Sequence, residues 1–485
     1  MKTQHSLIAL AILGLGSATQ AAPLTPTQAA DATAAGNAIY VSGSSALRFS
    51  LASGFVSMCQ AGTITVFGNT NGSAASGNNV RGYACTLAKD IKPKSGGATA
   101  FLAGTNVVFN KYDAGGSING IQPLVKNTAL PYMTYSAAGC TATGNARSGT
   151  FDLTIVDYSC PQNSNVVPQM GVSDVEAATI QNKLNLATGT TAVATNTLTG
   201  GVHSVAMAGV AVNLPLYRAL QAAQSLTLDD AEANAPSLPV AFLAAVETGN
   251  ASPLVGTGFN ALIPSDGSNS ASDSAAEAVT YCTRANGSGT KAMHNAFLLS
   301  TPCSNQGLTP AGTASPNASV TEIGNNDAVL NVQTSTGNVI ACLGGAAADN
   351  SKTTGGQFKK WAIGIVGSEN DPAASGTLDN AWRFVKVSGT YPSQANGQSG
   401  AYPMTYENYM YWPSSGLASK YSQFAKWLQT DAVTPLALAA TPDAGTRKGI
   451  LSIADITDPA YSGVTNYVAR ASRQGSSCKP QVLVQ

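Results

Sequence analysis

The stretch that decides the fold class reads Val279-Thr280-Tyr281-Cys282-Thr283-Arg284-Ala285-Asn286-Gly287-Ser288-Gly289-Thr290. Its first four residues are typical of a strand, and the Gly and Ser residues that follow mark a turn. A helix is predicted to begin near Thr290, which makes the stretch a βα unit. The N-terminus of such a helix presents unpaired N–H groups and a partial positive charge. Because Arg284 lies just ahead of it and can hold an oxyanion with two hydrogen bonds, the stretch predicts an oxyanion site.

Three further strand-to-helix junctions carry turns of small residues. They are Gly43-Ser44-Ser45-Ala46-Leu47 after a strand at Asn37–Val41, Tyr112-Asp113-Ala114-Gly115-Gly116-Ser117 after a strand at Asn106–Phe109, and Gly171-Val172-Ser173-Asp174 before a helix predicted to reach about Leu186. Ser and Thr are also good helix N-caps, which is the alternative role for each turn. In open α/β sheets, ligands lie beyond the carboxyl ends of the strands, so the four turns predict one shared anion site.

The rest of the chain continues the alternation of strands and helices. The patterns predict strands at Phe151–Val156, Val205–Val212 and Trp361–Val366, and helices at Ala46–Met58, Leu216–Ser225 and Lys420–Asp431. Pro23–Gly36 reads as a loose leader, and 62–104 as a surface excursion. This order predicts an α/β fold with mostly parallel sheets flanked by helices.

The N-terminus has the layout of a signal peptide spanning residues 1–21. Its apolar run from Ser6 to Gly16 is too short to cross a bilayer, and small residues precede a cleavage site after Ala21. The alternative is a buried N-terminal helix. We expect a cleaved, exported protein in the periplasm or outside the cell, without a membrane anchor.

Composition limits the classes of partner. The 485 residues suffice for two or three domains, 44% of them are apolar, and only 10% are charged. The formal net charge is zero, so that there is no general basic field for nucleic acid.

The cysteines indicate disulfides rather than a metal site. There are eight: Cys59, Cys85, Cys140, Cys160, Cys282, Cys303, Cys342 and Cys478. An even count behind an export signal favours four bridges, but eight cysteines allow 105 connectivities. Pairing neighbours gives the hypothesis Cys59–Cys85, Cys140–Cys160, Cys282–Cys303 and Cys342–Cys478. The histidines are scattered and no C-x-x-C pair occurs, so neither a metal nor another cofactor is predicted.

The fourth turn resembles a motif of the substrate-binding proteins of ABC-type phosphate transporters. That family carries Arg-x-x-x-Ser-Gly-Thr, which Arg284, Ser288, Gly289 and Thr290 match position by position. The other three turns are similar to the family's phosphate loops in the same order, which makes Ser44, Ser45, Ala46, Ser117 and Asp174 the corresponding candidates. Phe384–Ser393 and Gly400–Met404 are similar to later stretches of the family.

The resemblance implies a two-lobed periplasmic-binding-protein fold that closes on phosphate by a hinge motion. Lobe one would comprise residues 37–210 and 367–485 and lobe two residues 211–366, with crossovers near Gly209–Asn213 and Gly364–Ser368. Lobe one would supply Ser44, Ser45, Ala46, Ser117 and Asp174, and lobe two Arg284, Ser288, Gly289 and Thr290. An ABC transporter membrane complex would be the partner.

The chain also departs from the family. It is longer than typical members, segments near 62–104, 139–160 and 306–350 look inserted, and four disulfides are not general in the family. These departures leave the four anion contacts in place, but they leave open whether a transporter is the partner.

Two alternatives concern the ligand and the protein class. Phosphate at neutral pH still carries a proton that it can donate to Asp174, whereas sulfate cannot, so Asp174 favours phosphate unless it merely caps its helix. An enzyme is disfavoured, because Gly115-Gly116-Ser117-Ile118-Asn119 misses the last glycine of a hydrolase elbow. A secreted or surface protein that keeps the binding fold for adhesion or scavenging remains the alternative.

Overall fold

The computed structural model describes residues 22–69, 79–145, 153–187, 189–248, 279–310, 321–323, 328–344, 362–370, 382–439 and 449–484. The predicted signal peptide lies outside the described residues. Among the helices that are described, none is long and apolar enough to cross a membrane.

Helices and strands alternate along most of the chain. The helices are α1 (Pro26–Ala34), α2 (Arg48–Val56), α3 (Gln122–Lys126), α4 (Ala177–Ile180), α5 (Leu214–Ala223), α6 (Val240–Glu247), α7 (Gly289–Leu299), α8 (Thr336–Leu343), α9 (Gln394–Ser399), α10 (Ser419–Thr430) and α11 (Pro435–Ala439). The strands are β1 (Ala38–Gly43), β2 (Thr65–Asn69), β3 (Val80–Thr86), β4 (Asn106–Tyr112), β5 (Leu130–Tyr132), β6 (Thr141–Ala142), β7 (Tyr158–Cys160), β8 (Ser164–Val166), β9 (Met170–Ser173), β10 (Leu198–Asn213), β11 (Ser237–Leu238), β12 (Val279–Arg284), β13 (Thr321–Ile323), β14 (Ala328–Gln333), β15 (Ala362–Gly367), β16 (Trp382–Phe384), β17 (Lys386–Val387), β18 (Thr405–Pro413), β19 (Ala471–Ser472) and β20 (Val482–Leu483).

One large sheet runs through the described part of the molecule. Its strand order is β13-β14-β12-β15-β10-β18-β9-β1-β4-β3-β2-β7-β6, and β16 also pairs with β10. The sheet has two groups of parallel strands: β1 pairs with β4 and β9 in one half, and β12 pairs with β14 and β15 in the other half. Antiparallel ladders join the halves and extend both ends. The predicted α/β fold is confirmed.

The two predicted crossovers are neighbouring strands. The crossover segment at Gly209–Asn213 ends β10, and the segment at Gly364–Ser368 ends β15 and continues into a 3₁₀ turn. These strands pair antiparallel, with Gly209 opposite Val366. The division of the chain into two lobes at these strands remains a proposal.

The register of the parallel strands places the turns level with one another. Ser42 of β1 lies opposite Tyr112 of β4, and Gly43 lies opposite Val172 of β9. Since carboxyl ends of parallel strands meet at one edge of a sheet, the first three turns emerge side by side. Helix α2 covers this region with Leu51 and Phe55, both fully buried.

Several local predictions are wrong. The supposed loose leader forms α1, which has a Thr25 and Gln28 capping box and buries Ala29 and Ala32, because an Ala-rich segment favours a helix once it has a cap and a core to cover. The supposed surface excursion supplies β2 and β3, which extend the sheet beside β4. Residues 153–156 are not a strand, and the helix predicted up to Leu186 is limited to α4.

Two of the four hypothesised disulfides are confirmed and two are wrong. Cys59–Cys85 and Cys140–Cys160 form as predicted. The other two bridges are Cys282–Cys342, with Cα atoms 5.9 Å apart, and Cys303–Cys478, at 5.0 Å. Helix α8 packs on β12 and β15 and brings Cys342 over Cys282, a tertiary contact that neighbour order along the chain does not encode.

Candidate functional site

Three of the four predicted turns are locked together by glycines. A Cβ atom on Gly43 would lie 2.7 Å from the Cα of Gly120, and one on Gly171 would lie 2.8 Å from the same atom. Gly43 also has a φ of +108°, which a side chain rarely adopts. The N–H of Ser44 donates to the carbonyl of Val172 at 3.0 Å. The small residues therefore let the backbones of the three turns touch one another.

The fourth turn lies directly against the second. The N–H of Ile118 donates to the carbonyl of Gly287 at 3.0 Å, and Gly287 has a φ of +92°. A Cβ atom on Gly116 would lie 3.4 Å from the Cα of Ser288. The turn after β12 thus meets the turn after β4, so the four turns converge as the sequence predicts.

Asp174 is the centre at which the turns meet. Its side chain is 4% exposed, and its carboxylate accepts hydrogen bonds from the hydroxyls of Ser44, Ser117 (3.1 Å) and Thr290 (3.4 Å). Burial raises the pKa of Asp174, while the bonds from Ser44 and Ser117 and the charge of Arg284 oppose that shift. Asp174 does not cap the next helix, because the N-cap of α4 is Glu176.

Arg284 lies at the end of β12 with 8% of its surface exposed. Its Nη1 donates to Thr336 Oγ1 at 2.8 Å and its Nη2 to the carbonyl of Thr334 at 3.2 Å. Its Nε is buried without a hydrogen-bond partner among the described residues. Burial lowers the pKa of Arg284 to about 10, and the charge of Asp174 opposes that shift. The guanidinium therefore remains charged, and its Nε donor is unused by the described residues.

The remaining predicted residues fall into two roles. Ser288 caps α7 by accepting from the N–H of Lys291 at 3.4 Å, and Gly289 begins the helix beside Asp174. Ser45 and Ala46 border a cleft that Arg284 also lines. They do not cap α2, whose N-cap is Leu47 without a side-chain bond.

This cleft has a volume of about 430 Å³. Ser45, Ala46 and Arg284 line it, whereas Ser44, Ser117, Asp174 and Thr290 form a buried cluster beside it. The cleft is also lined by charged residues that the sequence did not single out: Arg48, Asp113 and Glu369. Within the described ranges, no group of His, Cys, Asp and Glu side chains is placed to hold a metal.

A buried ion network that no sequence motif predicts lies under the first turn. Lys111 is fully buried, and its Nζ donates to the carbonyl of Gly43 at 3.0 Å and to Asp113 Oδ1 at 2.6 Å. Asp113 forms a second ion pair with Arg48. Burial lowers the pKa of Lys111, and Asp113 opposes that shift. The sequence does carry one sign of this buried lysine: Val107, Phe109 and Lys111 alternate along β4, so they lie on the same face of the strand, which is buried.

Glu369 is the other missed residue, in the 3₁₀ turn that follows β15. Its Oε1 accepts from the side-chain amide of Asn370 at 3.0 Å, and its Oε2 is buried without a hydrogen-bond partner among the described residues. Burial raises the pKa of Glu369 to about 7; the charge of Asp174 adds to the shift, while hydrogen bonds from its own backbone N–H and from Asn370 oppose it. Its sequence neighbourhood contains no motif that marks it.

Comparisons with known proteins find likeness in structure alone. No family model matches the chain, and no curated protein matches it. Among solved structures, a protein from Clostridium perfringens assigned as a phosphate ABC transporter substrate-binding protein, with bound phosphate, is 11% identical, with 86% of this chain and 100% of that chain covered and a TM-score of 0.40. An ABC-type phosphate transport receptor from Vibrio cholerae is 12% identical, with 56% and 79% covered and a TM-score of 0.30. The ancestral soluble variant of the Human Phosphate Binding Protein is 14% identical, with 60% and 77% covered and a TM-score of 0.32. At these identities and TM-scores, none of the three determines what this chain binds.

Proposed function

We propose that this protein is an exported binding protein, not an enzyme, that captures inorganic phosphate between two lobes for uptake by an ABC transporter. The proposal depends on one observation: buried Asp174 accepts hydrogen bonds from hydroxyls of the other three turns, and the charge of buried Arg284 acts on it. The signal-peptide pattern and the four disulfides support export to an oxidising compartment.

Arg284 supplies the attraction for the anion. It is buried, it keeps a positive charge, and its Nε donor is unused by the described residues. A charge-assisted hydrogen bond from a guanidinium to a phosphate oxygen is roughly twice as strong as a neutral one. The backbone N–H groups at the start of α7 add the partial positive charge of a helix N-terminus.

Asp174 supplies the choice among anions. A carboxylate repels a fully ionised anion, but it can accept a hydrogen bond from the proton that phosphate retains at neutral pH. The hydroxyls of Ser44, Ser117 and Thr290 now donate to Asp174. On binding, the protonated phosphate oxygen would donate a hydrogen bond to Asp174, and these hydroxyls would donate to the other phosphate oxygens instead. Sulfate carries no proton with which to replace them at Asp174.

Titration calorimetry on mature protein stripped of bound phosphate tests this proposal. We expect one phosphate per chain, with an affinity of about −8 kcal/mol or better, which corresponds to a micromolar dissociation constant. Sulfate should bind far more weakly under the same conditions. If millimolar phosphate gives neither heat nor a thermal shift, phosphate capture is refuted. The alternative is then a secreted or surface protein that does not bind phosphate.

Transport is a separate part of the proposal. A strain that lacks the protein should lose high-affinity phosphate uptake, and the parent gene should restore it. Uptake that is unchanged in the deletion strain, alongside phosphate binding by the purified protein, would replace transport by scavenging or adhesion.

A further inference from the structure

Besides the Nε of Arg284, two more buried polar atoms near Asp174 have no hydrogen-bond partner among the residues that the structure describes. They are Oε2 of Glu369 and the hydroxyl of Tyr406. Buried polar groups are paired in the great majority of cases, and an unpaired one calls for a reason such as a missing ligand. The carboxylates of Asp174 and Glu369 both raise the pKa of Tyr406, after burial as the main cause, which places the three groups in one electrostatic neighbourhood.

Of these two residues, Glu369 lines the open cleft. It shares the lining with Arg284, Ser45 and Ala46. It also follows β15 directly, and β15 is one of the two proposed crossovers between the lobes. Glu369 would therefore share the cleft with a ligand held by Arg284, and it directly follows a strand about which the lobes would close.

An ionised carboxylate and a neutral carboxyl group act oppositely on a bound anion. The ionised form repels it, while the neutral form can donate its proton to an anion oxygen. Asp174 already accepts the hydroxyl donors of the inner cluster, so a second acceptor carboxylate beside the same anion would only repel it. The charge state of Glu369 therefore determines whether it helps or hinders binding.

We propose that Glu369 is a further ligand-binding residue that holds the phosphate as a proton donor, so that phosphate affinity falls when Glu369 ionises. This inference rests on the proposed function. It is supported by the raised pKa of Glu369, about 7, which keeps a substantial part of this group neutral near neutral pH. The other charged and titratable groups around the cleft are Asp174, Arg284, Arg48, Asp113 and Tyr406.

The sign of the pH dependence follows from the raised pKa. Below pH 7 Glu369 is mostly neutral and donates to phosphate. As the pH rises through about 7 it ionises, loses the donor and adds a like charge beside the anion. Phosphate affinity should therefore be highest on the acid side and fall towards alkaline pH beyond what the titration of phosphate itself causes.

The test is the pH profile of phosphate affinity in the parent, Glu369→Gln and Glu369→Ala, between about pH 5.5 and pH 8.5. Titration of phosphate is common to all three, so ratios of dissociation constants isolate the protein group. Glu369→Gln keeps a donor without a charge, so it should match the parent at low pH and bind about tenfold more tightly at high pH. Glu369→Ala should bind more weakly than the parent at low pH and more tightly at high pH, so the two profiles cross.

Glu232→Gln, the same change at an exposed carboxylate, is the control and should follow the parent throughout. If Glu369 had only a structural role, its substitution would change phosphate affinity by the same factor at every pH. The divergence of Glu369→Gln from the parent and the crossing of Glu369→Ala with the parent are independent signs of ionisation, so one of the two variants suffices. Parallel profiles for the parent and both variants would overturn the inference while leaving phosphate capture intact. No phosphate binding by the parent would overturn the proposed function and the inference together.

Discussion

Replacing Gly289 by alanine should weaken phosphate binding, because this residue lies where two of the turns meet. An added Cβ atom would lie 2.8 Å from both the Cβ and the Oδ2 of Asp174, and it would also collide with the hydroxyl of Ser117. An ordinary contact needs 3.4 Å or more, so the two Asp174 atoms must move away by about 0.6 Å and the Ser117 hydroxyl, at 2.2 Å, by about 1.2 Å. Gly289 has no positive φ and begins a helix, so its backbone itself accepts alanine.

The size of the effect follows from this crowding. Overpacking a close-packed site costs typically about 1–3 kcal/mol. If the four turns must be together to hold phosphate, that cost falls on binding and weakens it by roughly 5- to 150-fold. Rotation of the Ser117 hydroxyl cannot remove the clash without losing its bonds to Asp174, at 3.0 and 3.1 Å, and the contacts to Asp174 itself would persist.

A second glycine provides a matched control. Gly337 lies in the first turn of α8 and lines the same cleft, but a Cβ atom there would meet only Ser335 Oγ at 3.9 Å. Gly337→Ala should keep the parent's affinity and be equally stable or up to about 1 kcal/mol more stable, because alanine favours a helix. Titration calorimetry and thermal unfolding on both variants measure these quantities. If Gly289→Ala binds phosphate within about twofold of the parent, the turn from Ser288 to Thr290 does not hold the ligand.

Three further predictions address charge and covalent structure. Arg284→Ala should weaken phosphate binding by roughly 2–5 kcal/mol. The control Arg218→Ala removes an arginine that does not line the cleft and should keep the parent's affinity. If calorimetry gives equal affinities for both variants, Arg284 does not contact the ligand. Asp174→Asn should lose the preference for phosphate and gain relative affinity for sulfate, and an unchanged ratio in competition titrations would contradict the selectivity argument. Maleimide labelling of the denatured, unreduced protein should give no adduct, and peptide mapping should recover Cys282–Cys342 and Cys303–Cys478 rather than bridges between neighbours.

The candidate turns could be predicted from the sequence because their signals are local. A strand that runs into Gly and Ser residues and then a helix specifies a βα junction whatever lies around it. The parallel register of β1, β4 and β9 then brings the carboxyl ends together. The sequence thus predicted that these turns converge, and the structure brings Ser44, Ser117, Asp174 and Thr290 into direct contact.

The charges around the cleft could not be predicted in the same way. The ion network of Lys111, Asp113 and Arg48 links β4 with α2, and it exists only once these elements pack. Glu369 comes from a segment more than 190 residues beyond Asp174 in the chain. The wrong disulfide pairs have the same cause, because the partner of Cys282 is fixed by the packing of α8 on the sheet.

The contacts around Asp174 give the proposed site a physical basis for selecting phosphate. Asp174 is costly to bury as an ion, yet three hydroxyls stabilise it there. An anion that enters must compete for these hydroxyls, and the exchange is balanced only if the anion gives Asp174 a proton donor in return. Phosphate can do so, whereas sulfate would leave a buried carboxylate unpaired beside a second negative charge, a mismatch worth several kcal/mol. Under this proposal, selectivity arises from the bonds that Asp174 makes before an anion binds, and Arg284 sets the affinity for either anion.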